Sequence, residues 1–161
     1  MMKSKICFLD LDGTLIKTAS GKQFPKDTND WEFIKETAKF IKLKKLKGFK
    51  IILVTNQAGI SRGYVDHDEF KKKLIAIQED LNLYFDKTFV ATSLNSRYRK
   101  PKSKQLELDL KKEGIVIDKD NSMMIGDAGG GKRDFSDSDL EFAKSLNIDF
   151  IHSDEIKDYL R

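Results

Sequence analysis

Cysteine, proline and long apolar runs are all scarce in this sequence of 161 residues. With Cys7 as the one cysteine, an internal disulfide and a zinc site built on several cysteines are both excluded. Cys7 lies in an apolar strand pattern, so we expect a small core residue. No apolar run approaches the roughly 20 residues of a membrane-spanning helix, so we expect no membrane association. We expect one monomeric domain over residues 1–161, located inside the cell, in the cytoplasm or the nucleus.

Charged residues, in contrast, are abundant, and both signs are interspersed. The 30 lysines and arginines exceed the 26 aspartates and glutamates, which gives a net charge of +4. Such an excess of positive charge helps to attract a phosphate-bearing partner. Apolar residues make up 39% of the chain and occur in short runs, which is typical of a folded domain rather than a disordered segment.

Short apolar runs alternate with stretches of helical periodicity along the whole chain. Continuous apolar runs of this length are typical of strands that are covered on both faces. The alternation predicts an α/β fold, in which a parallel sheet lies between two layers of helices in a Rossmann-like arrangement. The predicted strands are Ile6–Leu9, Ile51–Val54, Thr88–Ala91, Ser122–Ile125 and Asp149–Ile151. The predicted helices cover about residues 30–46, 66–83, 103–113, 138–146 and 154–160.

Two aspartates follow the first predicted strand, in Asp10-Leu11-Asp12-Gly13-Thr14. Alternate residues of an extended segment share a side, so Asp10 and Asp12 can point together into the crevice beyond the strand ends. Two carboxylates at that distance repel each other unless a cation or a shared proton relieves them. The pair predicts a nucleophilic carboxylate beside an acid/base carboxylate, with a hard metal cation. The alternative, two solvated turn aspartates, is disfavoured by the preceding apolar strand and the following Gly-Thr.

This segment resembles the signature of the haloacid-dehalogenase superfamily phosphatases, and further motifs of that superfamily follow in order. Thr55 ends the second predicted strand, Lys100 precedes the fourth, and Asp127 ends the fourth. The resemblance implies that Asp10 attacks phosphorus to form an aspartyl-phosphate. It implies that Asp12 protonates the leaving oxygen and later deprotonates water. By the same resemblance, Thr55 and Lys100 hold the phosphoryl oxygens.

The resemblance also implies a magnesium ion as the cofactor. The expected ligands are the carboxylates of Asp10 and Asp127 and the backbone carbonyl of Asp12. Asp139 is a candidate for the second acidic residue of the metal motif. A phosphate dianion resists the approach of an anionic carboxylate, so positive charge is needed beside it, and Mg²⁺ and Lys100 would supply that charge.

Longer segments are similar to the 3′-phosphatase domain of polynucleotide kinase/phosphatases, and together they cover nearly the whole chain. They are Ser20–Pro25 with Asp30-Trp31, Thr55–Gly63, Tyr98–Pro101, Gly126–Gly130 and Asp134–Asp139. This resemblance implies a polynucleotide 3′-phosphatase that acts on the 3′ ends of nucleic acid strands, with DNA favoured, during the repair of strand breaks. The substrate-binding residues that it implies are Thr14, Lys22, Asn56, Arg62 and Arg99.

The spacing of the motifs leaves too little chain for a large cap domain over the site. The stretch from Asp12 to the next predicted helix is short, and one helix and one strand fill the stretch from Thr55 to Lys100. We therefore expect an open site that admits the end of a polymer, with residues 17–26 as a flap at its edge. Phe24 and Tyr98 are candidates for stacking on bases, although core or rim packing explains them equally well. Basic residues are expected along the approach, namely Lys17, Lys22, Lys26, Arg62, Arg97, Arg99, Lys102 and Lys104.

Two other functions fit parts of the pattern. The first is a phosphatase of the same superfamily that acts on small metabolites, although the zinc loop built on cysteines that is common in that group is excluded here. The second is a non-catalytic module that binds strand ends, but binding alone has no need of Asp10 as a nucleophile. We expect no use of ATP, because Arg133 stands where a nucleotide-binding loop has a hydroxyl residue.

Overall fold

The computed structural model describes residues 2–161, which form an α/β fold around a parallel sheet. The strands are β1 (Lys3–Ser4), β2 (Ile6–Leu9), β3 (Ile16–Lys17), β4 (Glu32–Phe33), β5 (Lys50–Asn56), β6 (Lys87–Ala91), β7 (Val116–Ile117), β8 (Met123–Gly126) and β9 (Asp149–His152). The helices are α1 (Lys35–Leu46), α2 (His67–Leu81), α3 (Lys104–Lys112) and α4 (Ser138–Leu146), and a 3-10 helix spans Ser153–Tyr159. No helix among the described residues is long and apolar enough to cross a membrane.

Strand β2 lies at the centre of the main sheet because all four of its residues are apolar and can be buried on both faces. The five strands follow the order β6-β5-β2-β8-β9, and every neighbouring pair is parallel. Cys7 and Leu9 point to one face, where they join an apolar core that α1 and α2 cover. Ile6 and Phe8 join the core on the other face, which α3 and α4 cover. The predicted three-layer α/β fold is therefore confirmed.

Burial decides the chemistry of the one cysteine. Cys7 is fully buried in β2, and desolvation raises the pKa of its thiol to about 12. A thiol with that pKa stays protonated at neutral pH, so it is a poor nucleophile. Cys7 is the core residue that the sequence predicts.

The first helix begins later than its sequence pattern predicts. Helical periodicity starts at Trp31, but α1 begins only at Lys35. Strand β4 pairs antiparallel with β3, and the Ile34 amide donates to the Leu15 carbonyl at 2.8 Å. Ile34 is thereby held in an extended conformation, with φ −81° and ψ 104°. Pairing with a distant strand thus overrides the local helical preference.

The loops that follow β2, β5, β6 and β8 all emerge at one edge of the sheet, because these strands are parallel. We call this the carboxyl edge. Residues 18–31, between β3 and β4, form a loop rather than a helical cap. Only α2 and β6 lie between β5 and the loop that precedes α3. Within residues 2–161 no large cap covers the carboxyl edge, as the sequence predicts.

Candidate active site

The turn after β2 places Asp10 at the carboxyl edge. Its amide donates to the Ile125 carbonyl in β8 at 3.0 Å, which keeps the backbone in line with the sheet. Asp10 is only 7% exposed, and one carboxylate oxygen accepts a hydrogen bond from the Thr14 hydroxyl at 3.1 Å. The other oxygen lies 2.7 Å from the Lys100 Nζ atom. A buried carboxylate with a fixed orientation and an adjacent cation suits a nucleophile for an anionic substrate.

Lys100 supplies the buried positive charge of the site. It is 4% exposed, and its Nζ atom also lies 2.8 Å from an Asp139 oxygen. Desolvation lowers the pKa of Lys100, but the charges of Asp10 and Asp139 outweigh it and raise the pKa above its usual value. The Asn56 side chain fixes the backbone here, since its oxygen accepts from the Lys100 N–H at 2.9 Å and its amide donates to the Lys100 carbonyl at 3.2 Å. The cation is therefore held both at its charged end and at its backbone.

Three carboxylates converge beside this cation. Asp10, Asp127 and Asp139 each offer an oxygen, and these oxygens all lie within 4.8 Å of one another. Desolvation, together with the charge of Asp10, raises the pKa of Asp127 to about 8 and that of Asp139 to about 6. Among the described residues, the buried Asp127 Oδ1 atom has no hydrogen-bond partner. An excess of buried negative charge with an unpartnered oxygen is the environment that a bound cation stabilises.

The donor set fits a hard divalent cation such as Mg²⁺. Its atoms are carboxylate oxygens, which Mg²⁺ prefers as ligands. The Asp127 carboxylate lies close to the backbone of residue 13, and it fits there because that residue is glycine. A Cβ atom at position 13 would lie 2.1 Å from Asp127 Oδ2. Gly13 also has a φ of +78°, which other residues rarely adopt. The side chains of Asp10 and Asp127 thus suit the metal-binding role that the sequence predicts for them.

Asp139 links Lys100 to the turn that follows β8. It is buried in the first turn of α4, where one carboxylate oxygen contacts Lys100. Its second oxygen accepts a hydrogen bond from the Ala128 amide at 3.0 Å. These contacts orient Lys100 and fix the turn that carries Asp127. The role of Asp139 as a metal ligand stays a prediction.

Asp12 is connected to the end of β5 through Gln57. The Gln57 Nε2 atom lies 2.7 Å from Asp12 Oδ2 and 2.9 Å from the hydroxyl of Thr55, which is itself buried. Asp12 as a residue is exposed, yet desolvation of its carboxyl by the surrounding protein raises the pKa, and the hydrogen bond from Gln57 opposes that shift. A carboxyl with a raised pKa suits a general acid near neutral pH.

The family of the chain follows from its sequence over this whole region. The sequence model of the polynucleotide kinase 3 phosphatase family matches residues 5–156. The chain belongs to this family. All the residues of the site described above lie within the matched segment, and the resemblance stated from the sequence is confirmed.

Relatives of this family member carry names with different substrates. A bifunctional polynucleotide phosphatase/kinase from Schizosaccharomyces pombe is 36% identical over 148 residues, which is 91% of this chain and 36% of that protein. The chain thus spans about a third of that relative. A D-glycero-β-D-manno-heptose-1,7-bisphosphate 7-phosphatase from Helicobacter pylori is 30% identical over 142 residues, 78% of this chain and 79% of that one. Both names describe phosphatases.

Solved structures share the fold. The crystal structure of D,D-heptose 1,7-bisphosphate phosphatase from B. bronchiseptica, complexed with magnesium and phosphate, superposes with a TM-score of 0.71. The two sequences are 19% identical, over 91% of this chain and 78% of the other. The structure of a HAD-like phosphatase from Mesorhizobium loti superposes with a TM-score of 0.72 at 20% identity, over 99% of this chain and 86% of the other. The central sheet is therefore of the haloacid-dehalogenase type that the sequence predicts.

Two of the predicted substrate-binding residues are engaged inside the site of this family member. Thr14 is fully buried, and its hydroxyl donates to Asp10. The Asn56 side chain donates one hydrogen bond to the Lys100 backbone and accepts another from it. Both residues therefore position the charged groups. Direct contact of either with substrate stays a prediction.

The other three predicted substrate-binding residues lie on loops at the carboxyl edge. Lys22 and Arg62 are exposed and Arg99 is partly exposed. None of the ion pairs within residues 2–161 involves these three, whereas Lys17 pairs with Glu32 at 3.6 Å. Their charges are thus available to an anionic partner.

The two aromatic candidates for base stacking differ in exposure. Phe24 is 73% exposed on the loop between β3 and β4. The Tyr98 ring lies 5.4 Å from the Phe89 ring, and its hydroxyl donates to Asp109. These contacts favour the packing alternative for Tyr98, because they occupy both its ring and its hydroxyl.

Two backbone amides of the glycine-rich loop after Asp127 are already engaged. The amides of Gly129 and Gly131 donate to the Asp134 carboxylate at 3.0 and 3.2 Å. His152 Nε2 lies 3.1 Å from the same carboxylate, and this hydrogen bond lowers the pKa of Asp134. In a nucleotide-binding loop such amides would instead be aimed at phosphates.

Asp30 organises the loop that carries Lys22 and Phe24, a role that the sequence does not predict. Its buried carboxylate accepts hydrogen bonds from the Ser20 amide at 2.8 Å, the Ser20 hydroxyl at 2.7 Å and the Lys26 amide at 2.9 Å. The bonds from Lys26 and Ser20 lower the pKa of Asp30 to about 2. The loop is therefore closed around a single carboxylate.

Replacing Asp30 with asparagine will loosen this loop, because the new amide group turns N–H groups toward donors that need an acceptor. We expect trypsin to cleave after Lys22 and Lys26 at least about tenfold faster than in the wild type, as followed by mass spectrometry. Asp27→Asn is the matched control, since within residues 2–161 the Asp27 carboxylate accepts a hydrogen bond only from the nearby Asn29 amide. Equal acceleration in both variants would contradict the organising role.

The contribution of the Asp30 carboxylate to the stability of the fold should depend on pH, and the sign of that dependence follows from its pKa. The pKa of Asp30 in the folded state is about 2, below the roughly 3.9 of an unfolded chain. Its contribution to stability is therefore present above about pH 4 and is lost as the pH falls toward 2. The difference in Tm between the wild type and Asp30→Asn should shrink over that interval.

Proposed function

We propose that this protein is a Mg²⁺-dependent polynucleotide 3′-phosphatase that removes 3′-phosphates from DNA ends during strand-break processing. The observation that carries the proposal is the buried contact between Asp10 and Lys100, at an edge of the sheet without a large cap. Membership of the family supports the reaction class. The uncovered edge supports a substrate that is the end of a polymer rather than an enclosed metabolite.

The first step transfers the phosphoryl group to the protein. An Asp10 oxygen attacks phosphorus, and the bond between phosphorus and the 3′ oxygen breaks. The departing oxygen takes the proton of the Asp12 carboxyl, so the strand leaves with a 3′-hydroxyl. Lys100 and Thr55 bind the phosphoryl oxygens. Burial of Lys100 strengthens this attraction because its charge is little screened by water.

The second step returns the protein to its starting state. The Asp12 carboxylate, now ionised, accepts a proton from a water molecule as the water oxygen attacks phosphorus. The bond between Asp10 and phosphorus breaks, and inorganic phosphate leaves. Asp12 is protonated again, and Asp10 is again a carboxylate.

The residues that would hold Mg²⁺ are Asp10, Asp127 and the backbone carbonyl of Asp12. When bound, the ion offsets negative charge on the transferred group. Asp127 retains an oxygen for this purpose, because its Oδ1 atom is buried without a partner among the described residues. Lys100 contacts the carboxylates of both Asp10 and Asp139, so it holds Asp10 in place beside the metal-binding residues.

The surface around the site supports a nucleic acid strand as the substrate. Large aromatic side chains are exposed on three loops at the carboxyl edge, namely Phe24 at 73%, Tyr64 at 82% and Phe135 at 82%. Exposed aromatic rings are platforms on which unpaired bases stack. Lys22 and Arg62 lie on two of these loops and can neutralise backbone phosphates. A sugar phosphate has neither bases to stack on these rings nor a phosphate backbone for these cations to neutralise.

Hydrolysis of a sugar phosphate is the second candidate function, because the Helicobacter pylori relative named for heptose bisphosphate is 30% identical. The deciding experiment measures phosphate release from a 3′-phosphorylated oligonucleotide, its 5′-phosphorylated twin and heptose 1,7-bisphosphate. We expect kcat/KM to be highest for the 3′-phosphorylated strand. A higher value for the heptose compound would overturn the proposal in favour of the second candidate.

Replacing Lys22 or Arg99 with alanine should separate strand binding from the chemical steps. We expect kcat/KM for the oligonucleotide to fall about 5- to 10-fold, and its salt slope to decrease by about 1, because one phosphate contact is lost. Hydrolysis of 4-nitrophenyl phosphate, which has no adjoining strand, should change less than about twofold.

Lys42→Ala is the matched control for this experiment, because Lys42 is an exposed lysine in the middle of α1. Its removal should affect neither substrate. Equal losses on both substrates for Lys22→Ala or Arg99→Ala would mean that these residues serve the fold or the chemistry, and the support for a polynucleotide substrate would be lost.

A further inference from the structure

Gln57 lies one residue beyond β5, and its side chain joins two functional groups. One nitrogen, Nε2, lies within hydrogen-bond distance of both Asp12 Oδ2, at 2.7 Å, and Thr55 Oγ1, at 2.9 Å. The Gln57 backbone is itself fixed, because its amide donates to the Ala91 carbonyl at 2.7 Å. The amide group is thus anchored from the sheet and reaches the carboxyl beside the nucleophile.

The Asp12 carboxyl depends on this contact for its orientation. Within residues 2–161, Gln57 is the one side chain that donates a hydrogen bond to it. Asp12 is otherwise an exposed residue at the edge of the sheet, in contrast to the buried Asp10. A carboxyl that has no hydrogen-bond partner samples several rotamers, and proton transfer requires a defined one.

We propose that Gln57 is a positioning residue that holds Asp12 in the orientation for proton transfer to the leaving oxygen. The inference rests on the two-step reaction proposed above. An amide N–H needs an acceptor, so it selects the Asp12 oxygen that carries no proton. Oδ2 is the oxygen bonded to Gln57, which leaves Oδ1 to carry the proton and donate it. Gln57 therefore decides which oxygen is the acid and where that oxygen lies.

If Gln57 has this role, the rate loss caused by removing it should depend on the leaving group of the substrate. In the first step Asp10 forms a bond to phosphorus while the bond to the leaving oxygen breaks, and that oxygen accepts the Asp12 proton. An alkoxide needs this proton because it is a strong base, whereas a nitrophenolate leaves without it. Loss of the positioning contact should therefore slow the hydrolysis of alkyl phosphates and leave the hydrolysis of nitrophenyl phosphates nearly unchanged. A residue that only supported the fold would slow both alike.

The test compares kcat/KM for propyl phosphate and 2,4-dinitrophenyl phosphate in the wild type, Gln57→Leu and Gln57→Glu. Leucine removes the donor, and glutamate keeps the shape but repels the Asp12 carboxylate. We expect a loss of about 10- to 100-fold on propyl phosphate and of less than about threefold on the dinitrophenyl ester in both variants. Should the leucine variant fail to fold by circular dichroism, the glutamate variant carries the test.

Gln78→Leu is the matched control. Its side-chain oxygen accepts from the Phe85 amide at 2.8 Å and its nitrogen donates to the Leu74 carbonyl, so it loses two amide hydrogen bonds outside the site. The ratio of the two substrates should stay at the wild-type value in this variant.

The outcomes separate this inference from the proposed function. Equal losses on both esters in the Gln57 variants would overturn the positioning role and leave the phosphatase proposal standing. A selective loss, in a protein that fails to hydrolyse 3′-phosphorylated strands, would keep the positioning role and remove the proposed substrate. An inability of the wild type to hydrolyse any of these esters would overturn both.

Discussion

Replacing Asp10 with asparagine will lower kcat/KM by at least about 10⁴-fold on every phosphate ester that the protein hydrolyses. The amide occupies nearly the same volume but cannot serve as a carboxylate nucleophile. The fold should survive, because the change removes one of three crowded carboxylates while Asp139 still neutralises Lys100. Steady-state kinetics together with thermal unfolding will show both results.

Asp120→Asn is the matched control for this variant, because Asp120 is an exposed aspartate in the turn before β8, at the opposite edge of the sheet. Its activity should equal that of the wild type. Mass spectrometry must show that the asparagine at position 10 has not reverted by deamidation, and Asp10→Ala excludes that route entirely. Repeated turnover by Asp10→Ala would sink the covalent mechanism.

Removing Mg²⁺ with EDTA will stop turnover, and adding Mg²⁺ back will restore it. Binding should also be visible without activity. At a concentration of 100 times its Kd, a ligand stabilises the folded state by about 2.7 kcal/mol, which corresponds to a rise in Tm of about 5–10 °C for a domain of this size. Asp127→Asn should abolish this rise, because it removes a negative charge and replaces one carboxylate oxygen of the acidic cluster with an NH₂ group.

The same variant should be more stable than the wild type in metal-free buffer. Desolvation and the charge of Asp10 destabilise the ionised Asp127 carboxylate, and an amide relieves both effects. The expected pattern is therefore a crossing: Asp127→Asn has the higher Tm without Mg²⁺ and the lower Tm with it. Asp120→Asn should follow the wild type in both buffers. A Tm that responds equally to Mg²⁺ in wild type and Asp127→Asn would exclude Asp127 from the metal site.

The position of each motif along the chain could be predicted because it depends on local patterns. The apolar run Ile6–Leu9 and the turn residue Gly13 announce a buried strand and a sharp turn, so Asp10 could be placed at the end of the first strand. The start of α1 could not be placed in this way. The pairing of β4 with β3 is a contact between distant segments, and it competes with the helical periodicity that begins at Trp31.

For Gln57, the sequence indicated a side chain on the same side as Thr55 but did not reveal its partner. It lies two residues after Thr55, so the alternation of an extended segment puts both side chains on one side. That spacing could have suggested a shared role. It could not reveal the partner, because Asp12 is 45 residues away in the sequence and only the parallel pairing of β2 with β5 brings the two together.

Asp30 belongs to one of the segments that resemble the family, but that resemblance did not predict its role in the loop. An aspartate in a polar loop is ordinarily a solvated or turn residue. Its three hydrogen bonds depend on how residues 18–31 fold back on themselves, which no periodicity describes. The sequence predicts Thr14 and Asn56 as substrate-binding residues, and only the folded structure shows that their side chains orient Asp10 and Lys100.

The α/β class, the parallel sheet, the lack of a large cap and the family could all be read from the chain, because they follow from periodicity, spacing and motifs that are local in it. Which charged side chains meet could be seen only after folding. Lys100 lies 90 residues from Asp10 and 39 from Asp139, yet its Nζ atom contacts both. Such contacts, and the pKa values that they shift, depend on burial and on side-chain direction after the sheet has assembled. Neither quantity is contained in the spacing of residues along the chain.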